Sequence, residues 1–175
     1  MKREQHELKI RITQLSEGTH NYHFAVKASE LELAENFQDL IEITAVLEKT
    51  HRQLYFKIQI SAKAEFQCDR CADRFYFAIQ APFTVCYGYD ESASGNSADD
   101  ELRLIHPGTP YIDVTEDVRQ VILLAIPLKL ICNEECKGLC PHCGINLNRE
   151  TCTCADEPAD SRWDELRKLI EEKNN

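Results

Sequence analysis

IEITAVLEKTHRQLYFKIQISAKAEFQCDRC, residues 41–71, sets apolar side chains at every second position on both sides of a polar KTHR break. Ile41, Ile43, Ala45 and Leu47 share one face of the first half, and Leu54, Phe56, Ile58 and Ile60 share one face of the second. A period of two puts alternate side chains on one side of an extended chain, so the stretch reads as a β-hairpin or meander with one buried face. It ends in C-x-x-C, and RFYFAIQ after it alternates again through Phe75, Phe77 and Ile79. Cys68 and Cys71 are therefore expected in a tight turn between two strands, and Pro82 is expected to break the run before FTVCYGY.

Outward from this hairpin, ELKIRITQ and HNYHFAVK alternate in the same way, through Leu8, Ile10 and Ile12 and through Tyr22, Phe24 and Val26. Ser29 and Glu32 have the spacing of a capping box, which predicts a short helix over 30–38. The acidic stretch DESASGNSADDE, 90–101, lacks apolar periodicity and reads as a long exposed loop, followed by strands at LRLIH and PYIDV. Asp113 or Thr115 can cap a helix starting near Glu116, and VRQVILLAI, apolar on most sides up to Pro127, is expected to lie buried against the sheet. SRWDELRKLIEEK gives a last helix whose Trp163, Leu166, Leu169 and Ile170 form a docking stripe for the chain's own core. The fold class is α+β: an antiparallel β-rich domain over 1–131 packed on a buried helix, then a zinc-ribbon-like cysteine-rich tail and terminal helix over 132–175.

The chain has 175 residues, 43% of them apolar, which suffices for a real core. The charged start MKREQHELKI and the interruption of the run from Val121 to Ile131 by Pro127 and Lys129 give neither a signal peptide nor a membrane span, so the expectation is a cytoplasmic protein. A reducing compartment turns nine cysteines away from disulfides and toward metal or thiol chemistry. Eight of them fall into close pairs, and Cys86 within PFTVCYGY reads as a small buried hydrophobe.

Zinc takes four thiolate or imidazole ligands in a tetrahedron, and a C-x-x-C turn supplies two. One site is expected from Cys140 and Cys143 with Cys152 and Cys154, closed by GINLNRET. Cys68 and Cys71 with Cys132 and Cys136 would then form a second site joining the hairpin turn to the segment that leaves the buried helix. The alternative partition groups Cys136, Cys140, Cys143 and one of Cys152 or Cys154, leaving the first pair free. His142, inside the CPHC turn, points to solvent in such turns and is not counted as a ligand. A redox-active dithiol needs its first thiol at a helix N-terminus, and the strand-like flanks of Cys68 and Cys71 oppose that. No phosphate-binding glycine loop or nucleophile elbow is present, and the remaining histidines lack metal spacing, so neither a small-molecule substrate nor catalysis is expected.

CDRC at Cys68–Cys71, IPLKLIC after the apolar helix, CKGLCPHCGINLN and the tail DSRWDELRKL together resemble the YceD family, domain of unknown function 177, the large ribosomal RNA subunit accumulation proteins. The resemblance is carried by Cys68, Arg70, Cys71, Cys136, Gly138, Cys140, Cys143, Gly144, Asn146, Asn148, Cys152 and Cys154, with Ser161 where the family commonly has proline. It implies a cytoplasmic, β-rich bacterial or plastid protein without catalytic activity, needed for accumulation of large-subunit ribosomal RNA. It also implies that the zinc of the tail is a structural staple, and the cysteine pairs provide for one or two such ions in the chain.

Two partners fit that role. The span 49–74 holds Lys49, Arg52, Lys57, Lys63, Arg70 and Arg74 against three acids, with Tyr55, Phe56, Phe75 and Tyr76 interleaved, as RNA binding by charge and stacking would need. The same aromatics could equally be core and the bases a solvated face. Residues 29–48 and 90–101 carry six and five acids without a base, on a chain of net charge −10, which suits capture of a cationic ribosomal protein of the large subunit. A zinc-dependent or thiol redox sensor is the remaining alternative.

Overall fold

The computed structural model describes residues 8–37, 40–89 and 101–154. Residues 90–100 of the expected acidic loop and the expected helix near Trp163 lie outside the described residues. Within them the protein is mostly β-sheet with one α-helix. β1 (Lys9–Arg11) pairs antiparallel with β7 (Tyr111–Asp113) as a two-stranded ribbon. A five-stranded sheet runs β2 (Gly18–Lys27), β3 (Leu40–Lys49), β4 (Gln53–Gln67), β5 (Arg74–Gly88), β6 (Glu101–Leu104). Its first four strands are antiparallel neighbours and β6 joins β5 in parallel.

The alternation that predicts the strands is the alternation that buries them. Ile43, Leu47, Leu54, Phe56 and Ile60 are each at most 0% exposed, and Ile79, Ala81 and Val85 of β5 join them on the same face. Such side chains each contribute about 1.5–3 kcal/mol through burial. Leu8, Ile10, Ile12 and Ile112 from the β1–β7 ribbon belong to the same core, as do Val118 and Ile122 of α1 (Thr115–Leu124). Tyr87 meets Phe56 edge to face at 5.7 Å. Cys86 is fully buried, paired in register with Tyr55 on one side and Leu102 on the other. Among the described residues no helix is long and apolar enough to cross a membrane.

Four local expectations are corrected. The helix predicted over 30–38 is a single 3-10 turn, Ala28–Leu31, ended by Glu32 at φ 52°. Beyond it, burial of Phe37 and reciprocal bonds tie the chain to β4: Glu65 N–H donates to Asn36 O at 2.9 Å, and the Asn36 amide donates to Glu65 O at 3.1 Å. Tertiary packing here overrides a local capping signal.

Pro82 does not break β5, which runs through it opposite Gln59. The described β6 pairs only with Val85–Gly88, so Pro82 lies where β5 has one strand neighbour and a missing N–H removes no ladder bond. Nor is α1 buried on most sides. It buries Val118 and Ile122, one stripe at i, i+4, while Leu123 and Leu124 are 41% and 83% exposed. The ribbon already covers part of the sheet face that the helix was expected to fill. Finally, the helix N-cap is Val114. The Asp113 carboxylate accepts the Thr115 N–H at 2.9 Å, and the Thr115 hydroxyl accepts the Leu8 N–H at 2.8 Å, so the side chain expected as a cap holds the ribbon to the helix instead.

Candidate metal centres

β4 and β5 form the longest pairing in the protein, and their turn carries Cys68 and Cys71 out past the main core. Its backbone is closed by two bonds: Cys68 N–H donates to Asp73 O at 2.8 Å, and Ala72 N–H donates to Cys68 O at 2.9 Å. Seventy-two residues later Cys140 N–H donates to Ile145 O at 2.8 Å and Gly144 N–H to Cys140 O at 2.9 Å. The two C-x-x-C segments therefore make the same turn. In both, the residue after the second cysteine is left-handed, Ala72 at φ 61° and Gly144 at φ 77°.

The turn aims amides at sulfur. His142 N–H donates to Cys140 Sγ at 3.4 Å, and the backbone of Arg70 does the same for Cys68. Asp73 serves Cys71, Gly138 serves Cys136, and Cys154 N–H meets Cys152 Sγ at 3.2 Å. Amides directed at thiolates are the outer shell that metal-binding cysteines require. His142 contributes its backbone to this shell and its ring is not part of either cysteine group.

The structure brings the eight paired cysteines together as two groups of four, with the sulfurs of each group all within 4.8 Å of one another. The inner group is Cys68, Cys71, Cys132 and Cys136; the outer is Cys140, Cys143, Cys152 and Cys154. Cys136 stands with the hairpin pair, and the partition that places it among the tail cysteines is not the one present. Inner distances of 3.9 Å (Cys68–Cys136) and 3.6 Å (Cys71–Cys132) match the roughly 3.8 Å edge of a tetrahedron of thiolates about 2.3 Å from a central ion. Outer distances are 3.2 Å (Cys140–Cys152) and 3.7 Å (Cys143–Cys152). All exceed a disulfide bond by more than about 1 Å.

The proton chemistry of the two groups points the same way. Burial pushes the Cys68 thiol up, but amides of Cys132, Cys71 and Arg70 overcome it and hold that thiol at about 6. Amides of Cys143 and His142 likewise bring Cys140 to about 6. Their neighbours move oppositely. Despite the Asp73 amide, burial and the adjoining sulfurs drive Cys71 up to about 12, and Cys152 and Cys143 drive Cys154 up to about 12. Four sulfurs this close cannot all ionise unaided, and a divalent cation at their centre lets them do so. Each group can thus hold a metal ion.

The groups differ in setting. Cys68, Cys71 and Cys136 are 2–6% exposed and form a small core with Phe75 and Ile131, whereas Cys143 and Cys154 are exposed. Arg70 holds the inner group's two halves together: its guanidinium donates to the Glu134 and Cys136 carbonyls at 3.2 and 3.0 Å, and its own carbonyl accepts the Leu139 N–H at 3.1 Å. Asp69 and Leu130 add a reciprocal pair, Asp69 N–H to Leu130 O at 2.8 Å and Leu130 N–H to the Asp69 carboxylate at 2.7 Å. Gly138 sits at φ 78°, and a β-carbon there would lie 3.1 Å from Arg70 O.

Sequence reasoning assigned no structural role to four residues of the loop and turn, Asn146, Asn148, Arg149 and Asp73. The Asn146 amide donates to the Asp73 carboxylate at 2.8 Å, the Asn148 amide donates to Asn146 Oδ1 at 2.9 Å and to Cys136 Sγ at 3.3 Å, and Arg149 pairs with Asp73 at 2.9 Å. The signal for the two asparagines is their place in the family motif, two residues apart just after a C-x-x-C-G turn.

The basic and aromatic span 49–74 does not assemble as a stacking face. Tyr55 and Phe56 are buried, and Phe75 packs on the inner cysteines. Tyr76 is 52% exposed, beneath the Lys63 ammonium at 4.7 Å. Lys57 pairs with Glu48 at 3.0 Å and Arg74 with Glu65 at 3.4 Å.

The chain is 36% identical over 66 residues to "Large ribosomal RNA subunit accumulation protein YCED homolog 1, chloroplastic" of Arabidopsis thaliana, covering 38% of this chain and 21% of that protein. The maize protein of the same description is 50% identical over 44 residues, 25% of this chain and 15% of its own. An uncharacterized protein of Mycobacterium tuberculosis is 28% identical over 112 residues, 63% of this chain and 53% of that one. The chain thus spans about a fifth of the Arabidopsis relative and half of the mycobacterial one. No solved structure matches it. Residues 56–170, from the middle of β4 through both cysteine groups, match the family described as "Large ribosomal RNA subunit accumulation protein YceD", and the chain belongs to that family.

Proposed function

We propose that this protein supports accumulation of the large ribosomal RNA subunit as a non-catalytic binding module in the cytoplasm, held in shape by two zinc ions and acting on a cationic ribosomal protein of the large subunit. Family membership supports the ribosomal role. The observation that supports the choice of partner is the fate of span 49–74 and the aromatics beside it: two of its six bases, Lys57 and Arg74, are paired with Glu48 and Glu65, Arg70 is engaged by backbone carbonyls, and Tyr55 and Phe56 are buried. RNA binding needs clustered, available cations and exposed rings. A Zn(Cys)4 centre carries two negative charges, so two of them deepen a formal charge that is −10 with neutral thiols. Opposite charge on a ribosomal protein would speed and orient encounter.

Zinc bound there would supply a structural cross-link between the segments that carry its cysteine ligands. Cys68, Cys71, Cys132 and Cys136 would hold one ion and Cys140, Cys143, Cys152 and Cys154 the other. The test is affinity capture of the tagged protein with and without nuclease treatment. A ribosomal protein recovered equally in both supports the reading, and recovery that disappears with nuclease assigns the contact to RNA. Profiling ribosomal subunits after depletion checks the role itself, with loss of large-subunit RNA expected.

A further inference from the structure

We propose that the two centres are coupled, and that Asn148 is the positioning residue through which the outer ion tightens the inner one. This rests on the reading that both groups hold an ion. Asn148 lies in the loop 144–151, between Cys143 and Cys152, so an ion in the outer centre clips that loop at both ends. Yet its side chain serves the other centre. Lys137 N–H donates to Asn148 Oδ1 at 2.8 Å, which fixes the amide orientation and leaves Nδ2 to donate to Cys136 Sγ at 3.3 Å. Asn146 completes the path: its Oδ1 accepts both the Asn148 N–H at 3.0 Å and the Asn148 amide at 2.9 Å, and its own amide reaches Asp73, beside the inner turn, at 2.8 Å.

The physical argument has two steps. An N–H donor stabilises a thiolate relative to a thiol, so Asn148 makes Cys136 a better ligand. A donor on an eight-residue loop can do this only when the loop is ordered, and closing the loop is what the outer ion does. The outer ion therefore prepays an ordering cost that the inner centre otherwise bears, and by linkage the inner ion strengthens the outer by the same factor. Asn148 is exposed, so replacing it removes the donor without opening the core.

The experiment uses the full chain, loaded with zinc, as wild type, Asn148→Ala, Cys152→Ser with Cys154→Ser, and the combination. The inner centre's affinity is read by competition with a chromophoric zinc chelator, and its sulfur-to-metal charge-transfer band by cobalt substitution. Asn148→Ala is expected to weaken the inner centre about ten-fold, the scale of a lost outer-shell partner, and to move that band to longer wavelength. Loss of the outer centre is expected to do the same, and the combination to cost no more than the larger single change. Unchanged inner affinity in Asn148→Ala, or losses that multiply in the combination, would overturn the coupling. If the serine variant does not fold, Asn148→Asp takes its place. It adds charge beside an anionic centre and must weaken zinc more than alanine does; equal or tighter binding overturns the proposal. A wild type that holds no zinc defeats the metal reading itself, whereas two ions bound independently defeat only the coupling.

Discussion

Replacing Cys68 and Cys71 together by serine removes the inner cross-link and tests which centre holds the fold. The pair Cys71–Cys132 spans 61 positions of sequence, and the outer pair Cys143–Cys152 spans 9. Treated as simple cross-links, a loop of about 62 residues restricts the unfolded chain by about 4.3 kcal/mol and one of about 10 residues by about 2.7 kcal/mol. For a chain of this size each kcal/mol moves the melting midpoint by about 2–4 °C. The inner variant is expected to melt at least about 9 °C below wild type. The Cys140→Ser, Cys143→Ser variant should lose clearly less, because its loop can fray without opening the sheet. Differential scanning calorimetry gives the midpoints, and elemental analysis should find one ion in each variant against two in wild type. An outer variant as damaging as the inner one, or an inner variant with an unchanged midpoint, would refute the reasoning from loop length.

Two further substitutions probe the supports of these centres, and a third probes the contact between sheet and helix. Ala72→Gly should raise stability by about 0.5–1 kcal/mol in chemical denaturation, since φ 61° is strained for alanine and relaxed for glycine, as Gly144 shows at the equivalent position. Gly138→Ala should cost about 2 kcal/mol and weaken inner-centre zinc in the same chelator assay, because it combines left-handed strain with a 3.1 Å approach to Arg70 O. Arg103→Ala, which breaks the bidentate pair with Asp117 at 2.7 and 2.8 Å at the β6–α1 contact, should cost about 2 kcal/mol of thermal stability and leave zinc content at two ions.

What the sequence made legible follows the range of the forces involved. The faces of β3 and β4 were readable because burial of every second residue is a local pattern imposed by the sheet, and Leu54 to Ile60 lie on the buried face as alternation requires. The spacing made legible that the cysteines come in pairs suited to sharing an ion, but it left two partitions open, and the grouping of Cys136 with Cys68, Cys71 and Cys132 comes from the fold. The helix at 30–38 was misread because the bond that decides it, Asn36 to Glu65, joins residues 29 apart. Pro82 was misread because a proline's cost depends on which strand lies beside it, and that is set by where β6 stops. Asn146, Asn148 and Asp73 carried no role because an amide that serves a sulfur looks, in sequence, like any loop asparagine.

On the proposed reading that the inner group holds an ion, its placement gives a reason for metal in a protein with an adequate core. β4 and β5 stay paired to Phe66–Phe75 and Gln67–Arg74, beyond Ala64 and Ile79 of the main core, and end in a separate cluster of Cys68, Cys71 and Cys136 with Phe75, Ile131 and Cys132. That cluster is too small to order the hairpin tip, the segment after α1 and the cysteine loop by burial alone, since each ordered residue costs about 1–2 kcal/mol of backbone entropy. An ion shared by the tip and the post-helix segment would offset that cost at one point, and Arg70, Asp69 and Gly138 fit the three pieces together around the inner cysteines. With zinc bound, the end of this hairpin would be rigid and would display two anionic centres. Such a surface would suit the cationic partner proposed above, and on that reading a variant without inner metal is expected to lose partner capture while its main sheet remains folded.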